Sequence, residues 1–391
     1  SFNKYSATPP ANAPLLPPPE ITNAFFIIQQ MIYVFSFYKN TKMKSLFAGV
    51  FLFVFFTSCT KEYQPREIDT VSIKEFKIDS NSIRSIVAID SLTMYYAGSK
   101  GDIGFTNNGG KSWETKQFKY QDSIYPNFRS IAFNDKTNVV YALSISNPAL
   151  LYQYNFSDSF IVYKENHPNV FYDSMKFFDE INGIAIGDPT DGNCLSILLT
   201  NDGGNTWKKV SCQQIPKVVE GEAAFAASNT NIKTLGNTVW IVSGGVKSRI
   251  FKSIDLGVTW NVYETPIIQG TSSQGIYSVD FADENNGIVI GGDYSKPNEN
   301  FKNKAITSDG GKSWTLVADG ESPNYKSCVQ YVPNTNGKEV FAVGKTGVSY
   351  SNKGGISWKE VSKEAYYTIQ FVNSNIAWLS GNNKIGKLIL P

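Results

Sequence analysis

A single histidine, His167, and four cysteines are all the imidazole and thiol chemistry in 391 residues. One histidine excludes a three-histidine zinc site, and a Ser-His-Asp triad would have to use a ring sitting before Pro168 in a loop-like stretch. Excess charge of one sign is also missing. Lys plus Arg total 36 against 34 for Asp plus Glu, and a net charge of +2 offers no electrostatic basis for nucleic-acid binding. No Gly-x-Gly-x-x-Gly opens a helix, so a dinucleotide fold has no support. The Gly-Gly-Lys-Ser strings at 109–112 and 310–313 imitate a phosphate loop, but the glycine required before them falls on Phe105 and Ile306. No metal or cofactor is expected. Long helical periodicity is absent too.

What is present is aromatic residue in quantity, 14 %, interleaved with Gly and Asn, which suits half-buried strands joined by tight turns. Met43 and Lys44 precede an apolar run from Leu46 to Phe56, then Thr57, Ser58 and Cys59. The run is too short for a bilayer span of roughly 20 residues and reads as a signal peptide. The small pair before a cysteine resembles a bacterial lipoprotein signal, with Cys59 lipidated and anchoring the chain to the membrane. Thr60, Lys61 and Glu62 partly resemble an export signal of Bacteroidota lipoproteins, pointing to the outer membrane, facing the periplasm or the cell surface. The expected organisation is a non-native upstream extension over 1–42, the signal over 43–58, a tether over 59–69 and one domain over 70–391. Three cysteines remain: Cys194 and Cys212 fall on two arms of one predicted hairpin and either pair or stay as buried thiols, and an odd total leaves at least one free.

An octad repeats along the domain. Thr106-Asn-Asn-Gly-Gly-Lys-Ser-Trp113 recurs at 200–207, 253–260, 307–314 and 351–358, each copy ending in tryptophan: Trp207, Trp260, Trp314 and Trp358. The pattern resembles the Asp box of the bacterial neuraminidase repeat, a turn between the outer two strands of a propeller blade. A carboxylate at its third position, Asp202, Asp255 or Asp309, can accept bonds from turn amides, while Gly supplies positive φ and Trp buries area. Asn108 and Lys353 replace it in two copies, whose turns need other bonds. The starts are 94, 53, 54 and 44 residues apart, so a degenerate unit is expected near 153, where Leu151 to Phe160 keeps strand character.

Seven short apolar runs, from Met94-Tyr-Tyr-Ala-Gly98 to Ala377-Trp-Leu-Ser-Gly381, precede the octads at about 47-residue intervals, the size of a four-stranded blade. An inner strand is expected before each, including 83–88, 128–133, 172–177, 222–227 and 276–281. The expected fold is therefore all-β: a single seven-bladed β-propeller with Asp-box turns. The last blade lacks a fourth strand, and Val71 to Ile78, which alternates apolar and polar, is expected to supply it and close the ring.

In such a blade the start of the first strand and the end of the second meet at the top mouth of the central channel. The first column offers Arg84, Arg129, Asp173, Glu222, Tyr277 and Tyr367; the second offers Lys100, Asp188, Asp293, Tyr294 and Lys345. The expected binding residues are Arg84, Arg129, Asp173, Asp188, Glu222, Tyr277, Asp293 and Tyr294, with basic residues on one side of the mouth and acidic ones on the other. Charges pairing across the channel would be scaffold instead. Two carboxylates facing one groove can hydrolyse glycosides, which makes Asp173, Asp188, Glu222 and Asp293 the candidate catalytic groups. A sialidase is disfavoured, because the Phe-Arg-Ile-Pro motif is missing.

With its arginine at the start of an inner strand, Phe128-Arg-Ser-Ile-Ala-Phe133 resembles the photosystem II assembly and stability factor family, over roughly 70–391. Gly187-Asp-Pro189, Gly221-Glu-Ala-Ala-Phe-Ala-Ala-Ser228 and Gly291-Gly-Asp-Tyr294 resemble a branch of it from non-photosynthetic bacteria. The resemblance implies a binding or assembly module for a protein or glycan partner, expected as a monomer; the alternative is a glycoside hydrolase or lyase using the acidic side of the mouth.

Overall fold

The computed structural model describes residues 63–391, apart from Gly192 and the side chains of 79–81. The extension, the signal and Cys59 lie outside the described residues. Within them the chain is all-β, an antiparallel propeller whose only helical turn is the 3-10 segment Cys212–Gln214. Each apolar run anticipated as a second strand is one: Met94–Gly98, Val139–Ser144, Gly183–Gly187, Thr238–Val242, Gly287–Asp293, Val340–Gly344 and Ile376–Ser380. Nearly every residue of these strands is buried. They read as continuous apolar runs because neighbouring sheets cover both of their faces. The core lies accordingly between sheets. Tyr95, Ala97 and Ile103 of one sheet pack with Phe128, Ile131 and Val140 of the next, and Tyr141, Leu143 and Leu151 pack with Tyr172, Ala185 and Leu198 of the one after.

Strand Ile73–Ala88 serves two neighbours. Its first half runs antiparallel to Asn382–Ile389, with Ile73 opposite Leu388 and Lys77 opposite Lys384; its second half pairs with Met94–Gly98, with Ile83 opposite Gly98. The two partners join through it into one seven-stranded sheet. The inner strands, including Phe128–Asn134, Tyr172–Phe177, Gln274–Phe281, Cys328–Tyr331 and Thr368–Phe371, each lie against the next around the axis.

Two expectations are corrected. The inner strand anticipated at 222–227 is instead Ile232–Leu235, opposite Thr238–Val242. Glu222–Ala223 forms only a two-residue ladder with Gly244–Gly245, and the chain after it crosses the axis. The tether is not free from Tyr63 onward. Arg66 meets the buried Glu339 at 2.6 Å and donates to the Ser374 carbonyl, while Ile68 sits in the core beside Tyr350 and Leu390.

The octads form tight turns. In the 200–207 copy the Thr200 hydroxyl accepts from the Gly204 amide, Asp202 accepts from the Thr206 amide and hydroxyl, and the Trp207 indole donates to the Gly204 carbonyl. Asp255 and Asp309 do the same. Asn108 keeps the amide bond to Ser112 and reverses the other, donating to its hydroxyl. With Lys353 only the Ser351 and Trp358 bonds remain. The Trp113 indole nitrogen is the one of the five that is buried without a partner. At the degenerate position Asn155 caps the turn by accepting the Ser157 and Asp158 amides. Cys194 and Cys212 are bonded to each other, their Cα atoms 5.7 Å apart, while Cys328 is free and buried.

Candidate functional site

The segment that leaves Glu222 builds the mouth. Its small side chains, Ala223, Ala224, Ala226 and Ala227, let the backbone dip onto the axis, where its carbonyls become acceptors for side chains of other sheets. Arg129 donates to the Ala226 carbonyl at 3.1 Å and Arg84 to the Ala227 carbonyl at 3.3 Å. Asn229, with φ of 60°, bridges further down: it accepts from Ser130 and the Met175 amide and donates to the Ile131 carbonyl. Ser228 donates to the Ser327 carbonyl. The segment plugs the channel.

Above the plug lies a cavity of about 620 Å³, lined by Arg84, Arg129, Asp188, Tyr277, Tyr294, Lys345 and Tyr367 among others. Its wall is aromatic. Phe225 stacks on Tyr277 with centroids 4.1 Å apart, and Tyr325 and Tyr294 meet Tyr277 edge-on. The Arg84 guanidinium covers the Tyr367 ring at 4.0 Å. Lys345 is turned to the Tyr294 carbonyl, 2.6 Å away.

Neither Arg84 nor Arg129 forms an ion pair among the described residues. Arg84 Nε is buried without a partner, and Arg129 Nε has only Asn127 at 3.3 Å. Burial, and then the Arg84 charge, pull the Arg129 guanidinium down to about 10. Two cations held together with no carboxylate bonded to either, and only the more distant charge of Asp173 and the Tyr367 ring in partial relief of Arg129, cost desolvation and repulsion that the fold itself does not need.

The acidic half of the mouth dissolves on inspection. Glu222 is closed off: Arg249 grips both its oxygens, at 2.9 and 2.5 Å, and Ser243 and the Val219 amide complete the shell. It is scaffold and does not line the cavity. Asp293 accepts from the Ser295 amide and hydroxyl and caps its own turn. Asp173 is fully buried beneath the cavity, and neither oxygen accepts a hydrogen bond of good geometry. Burial and the neighbouring Asp188 charge push it well above the ordinary range, only partly offset by the Arg129 charge and the Ala226 amide. Asp188 alone of the four reaches the cavity; burial raises it to about 6, although it accepts the Ala224 amide at 2.8 Å. A two-carboxylate hydrolysis needs a second carboxylate at the same space; Glu222 and Asp293 are bonded elsewhere, and Asp173 is buried and does not line the cavity. His167 and Lys100 do not line the cavity either.

Of the residues expected at the mouth, Arg84, Arg129, Asp188, Tyr277, Tyr294, Lys345 and Tyr367 come together around this one cavity. Phe225 and Tyr325 were not among them. Tyr325 lies just before the inner strand Cys328–Tyr331, and Phe225 is the one large side chain in an otherwise small-residue run, a signal of a segment that must lie close to something.

No family model matches the chain, and no curated protein matches its sequence. Solved structures do. A structure of YCF48 bound to a D1 peptide is 15 % identical, with a TM-score of 0.59, covering 83 % of this chain and 100 % of that one. YCF48 from Cyanidioschyzon merolae is 13 % identical at a TM-score of 0.58, covering 82 % and 99 %. The WD40 repeats of RRP9 are 11 % identical at 0.59, covering 83 % and 100 %. At these identities the likeness speaks for the architecture alone: the chain is similar to β-propellers, those of a photosystem II assembly factor among them.

Proposed function

We propose that this chain is a non-catalytic binding or assembly module whose plugged upper cavity takes an anionic segment of a protein partner. The observation that carries the reading is the pair Arg84 and Arg129, facing one aromatic-walled cavity without a carboxylate partner among the described residues. Guanidinium forks suit carboxylates, and flat aromatic walls suit the backbone and side chains of a peptide. That a structural neighbour was solved with a peptide bound adds weight to a protein over a glycan. The test is titration of the full-length chain with acidic peptides bearing a free C-terminal carboxylate. Arg84→Ala and Arg129→Ala should each weaken binding about tenfold or more with the melting temperature little changed. Binding that survives both changes would sink the reading.

The finer architecture belongs to the same proposal: seven blades, Asp-box turns at the octads, and a ring closed by 73–77 as the outer strand of the last blade. The pairing of that segment with Asn382–Ile389 supports closure. Deleting 71–78 should expose a sheet edge and lead to aggregation or a large fall in melting temperature, and a variant melting like the intact protein would refute closure. Cys59, on its sequence context, is proposed as the lipid anchor of a bacterial outer-membrane protein. Cys59→Ser should then leave the membrane fraction.

A further inference from the structure

Below the plug the same inner strands that carry the mouth turn a second set of side chains onto the axis, around a cavity of about 160 Å³. Ser228, Asn229 and Thr230 of the plug form its roof, so the two cavities share one wall. The character of the lower one is set by Lys176, Lys233, Asp280, Gln330 and Gln370, from five different inner strands. The strand 83–88 adds only Ile86, which is apolar.

Both oxygens of Asp280 are taken. Lys233 holds Oδ1 at 2.6 Å, and the Tyr331 amide donates to Oδ2 at 2.7 Å. Lys176 is left over. It has no hydrogen bond or ion pair among the described residues, so two ammonium groups share one carboxylate and the cavity carries one uncompensated positive charge.

The glutamines are oriented by the backbone. The Phe371 amide donates to Gln330 Oε1, and the Ala88 amide donates to Gln370 Oε1, each at 2.8 Å. Fixing the carbonyl end of a carboxamide fixes the other end as donor. Neither NH2 group has a partner among the described residues, and both side chains line the cavity. A lysine without a counter-charge, a second lysine and two pre-set NH2 groups converge on a small polar space. Donors outnumber acceptors there, since Asp280 is the one carboxylate of the lining and is already engaged by Lys233 and the Tyr331 amide.

We infer that this lower cavity is a binding site for a small oxyanion, a phosphate or a compact carboxylate, seated between Lys176 and the NH2 groups of Gln330 and Gln370. Such an anion accepts from donors already held in place and cancels the unpaired charge. Lys176 responds to that charge balance: burial, and then the charge of Lys233, pull it down to about 8, with only partial relief from Cys328 and Asp280. An anion would reverse the shift, so binding at pH 8.5 should take up a proton. This site is independent of the upper cavity and stands or falls separately.

Calorimetric titration of the full-length chain with inorganic phosphate and with malonate tests it. The expected result is saturable one-to-one binding of at least one of them at pH 7, with net proton uptake at pH 8.5 when buffers of different ionisation enthalpy are compared. Lys176→Met keeps most of the side-chain stem and should weaken binding at least tenfold. Gln370→Glu, which puts a negative charge in place of a donor, should do the same and serves should Lys176→Met fail to fold. Arg84→Ala with Arg129→Ala removes the upper-cavity guanidiniums that could take the same anions, and binding that depends on Lys176 should persist in it. Absence of saturable binding by both anions, wild-type affinity in the lysine and glutamate variants, or loss of binding only in the arginine variant would each overturn the site.

Discussion

Glu222 and Asp173 entered as equals, two carboxylates expected on the acidic side of one mouth, and the fold treats them in opposite ways. Glu222 has its donors within reach, two from Arg249, one from Ser243 and one from the Val219 amide. Asp173 has none of good geometry, although its side chain is equally buried. A charge with a complete shell repays its desolvation and belongs to the scaffold; one without a shell gives up its charge. The same contrast separates Arg249, paired, from Arg84 and Arg129, unpaired. Buried charge alone does not mark a site. Buried charge left without a partner does.

Three measurements press on that contrast. The largest effect is expected from Glu222→Gln, which leaves Arg249 without a counter-charge. Breaking a buried pair in this way costs about 3 to 5 kcal/mol, read as a fall in the denaturation midpoint, while peptide binding by the surviving fold stays unchanged. An undiminished midpoint would place Glu222 with the site after all. The next concerns the open side. Asp188 is raised in the folded state, so its contribution to stability is fully present below the ordinary carboxyl range and is lost as pH climbs through about 6. Asp188→Asn removes that loss and keeps the acceptor for Ala224. The variant should match the wild type near pH 4 and exceed it above pH 7 by about 3 kcal/mol. A gap that stays the same from pH 4 to 8 would mean Asp188 does not titrate this way. The smallest effect is expected from Asp309→Asn. Burial raises this half-buried carboxyl, but the hydrogen bonds from Ser313, Thr307 and Lys312 together outweigh it and hold the group down at about 2. Asn108 shows that an amide keeps much of the turn, so the loss should be roughly 1 kcal/mol or less in a melting curve. A loss as large as that of Glu222→Gln would deny that exposure, along with shell completeness, sets the scale.

The architecture was legible where the sequence is periodic. Tryptophan octads and apolar second strands recur at near-constant spacing, and their placement required no knowledge of long-range contacts. The residues of the mouth followed from that register, which is why Arg84, Arg129, Asp188, Tyr277 and Tyr294 fell together. The plug was illegible for a related reason. Glu222 to Ser228 sits at the interval where an inner strand is due, and alternation of small residues does not distinguish a strand from a segment crossing the axis. The true inner strand, Ile232–Leu235, carries Lys233 and Thr234 toward a polar lower channel and so lacks the apolar signature. Likewise nothing in the stretch read as a tether singles out Arg66, because its partner Glu339 lies 273 residues away. Ion-pair partners at that distance leave no local mark.

The antiparallel contact between 73–77 and Asn382–Ile389 also bears on how the molecule reaches its final state. Ile73 leaves the ribosome more than 300 residues ahead of Leu388, its partner. Every sheet between them can form from neighbouring hairpins as it emerges, but this ladder must wait until Asn382–Ile389 has been made. Loop closure over such a span is slow compared with local pairing. The early strand therefore spends the longest time with one edge unpaired, and the final commitment to the native topology is made by the two most distant pieces of the domain at once. Folding is local almost everywhere in this protein and global at one seam.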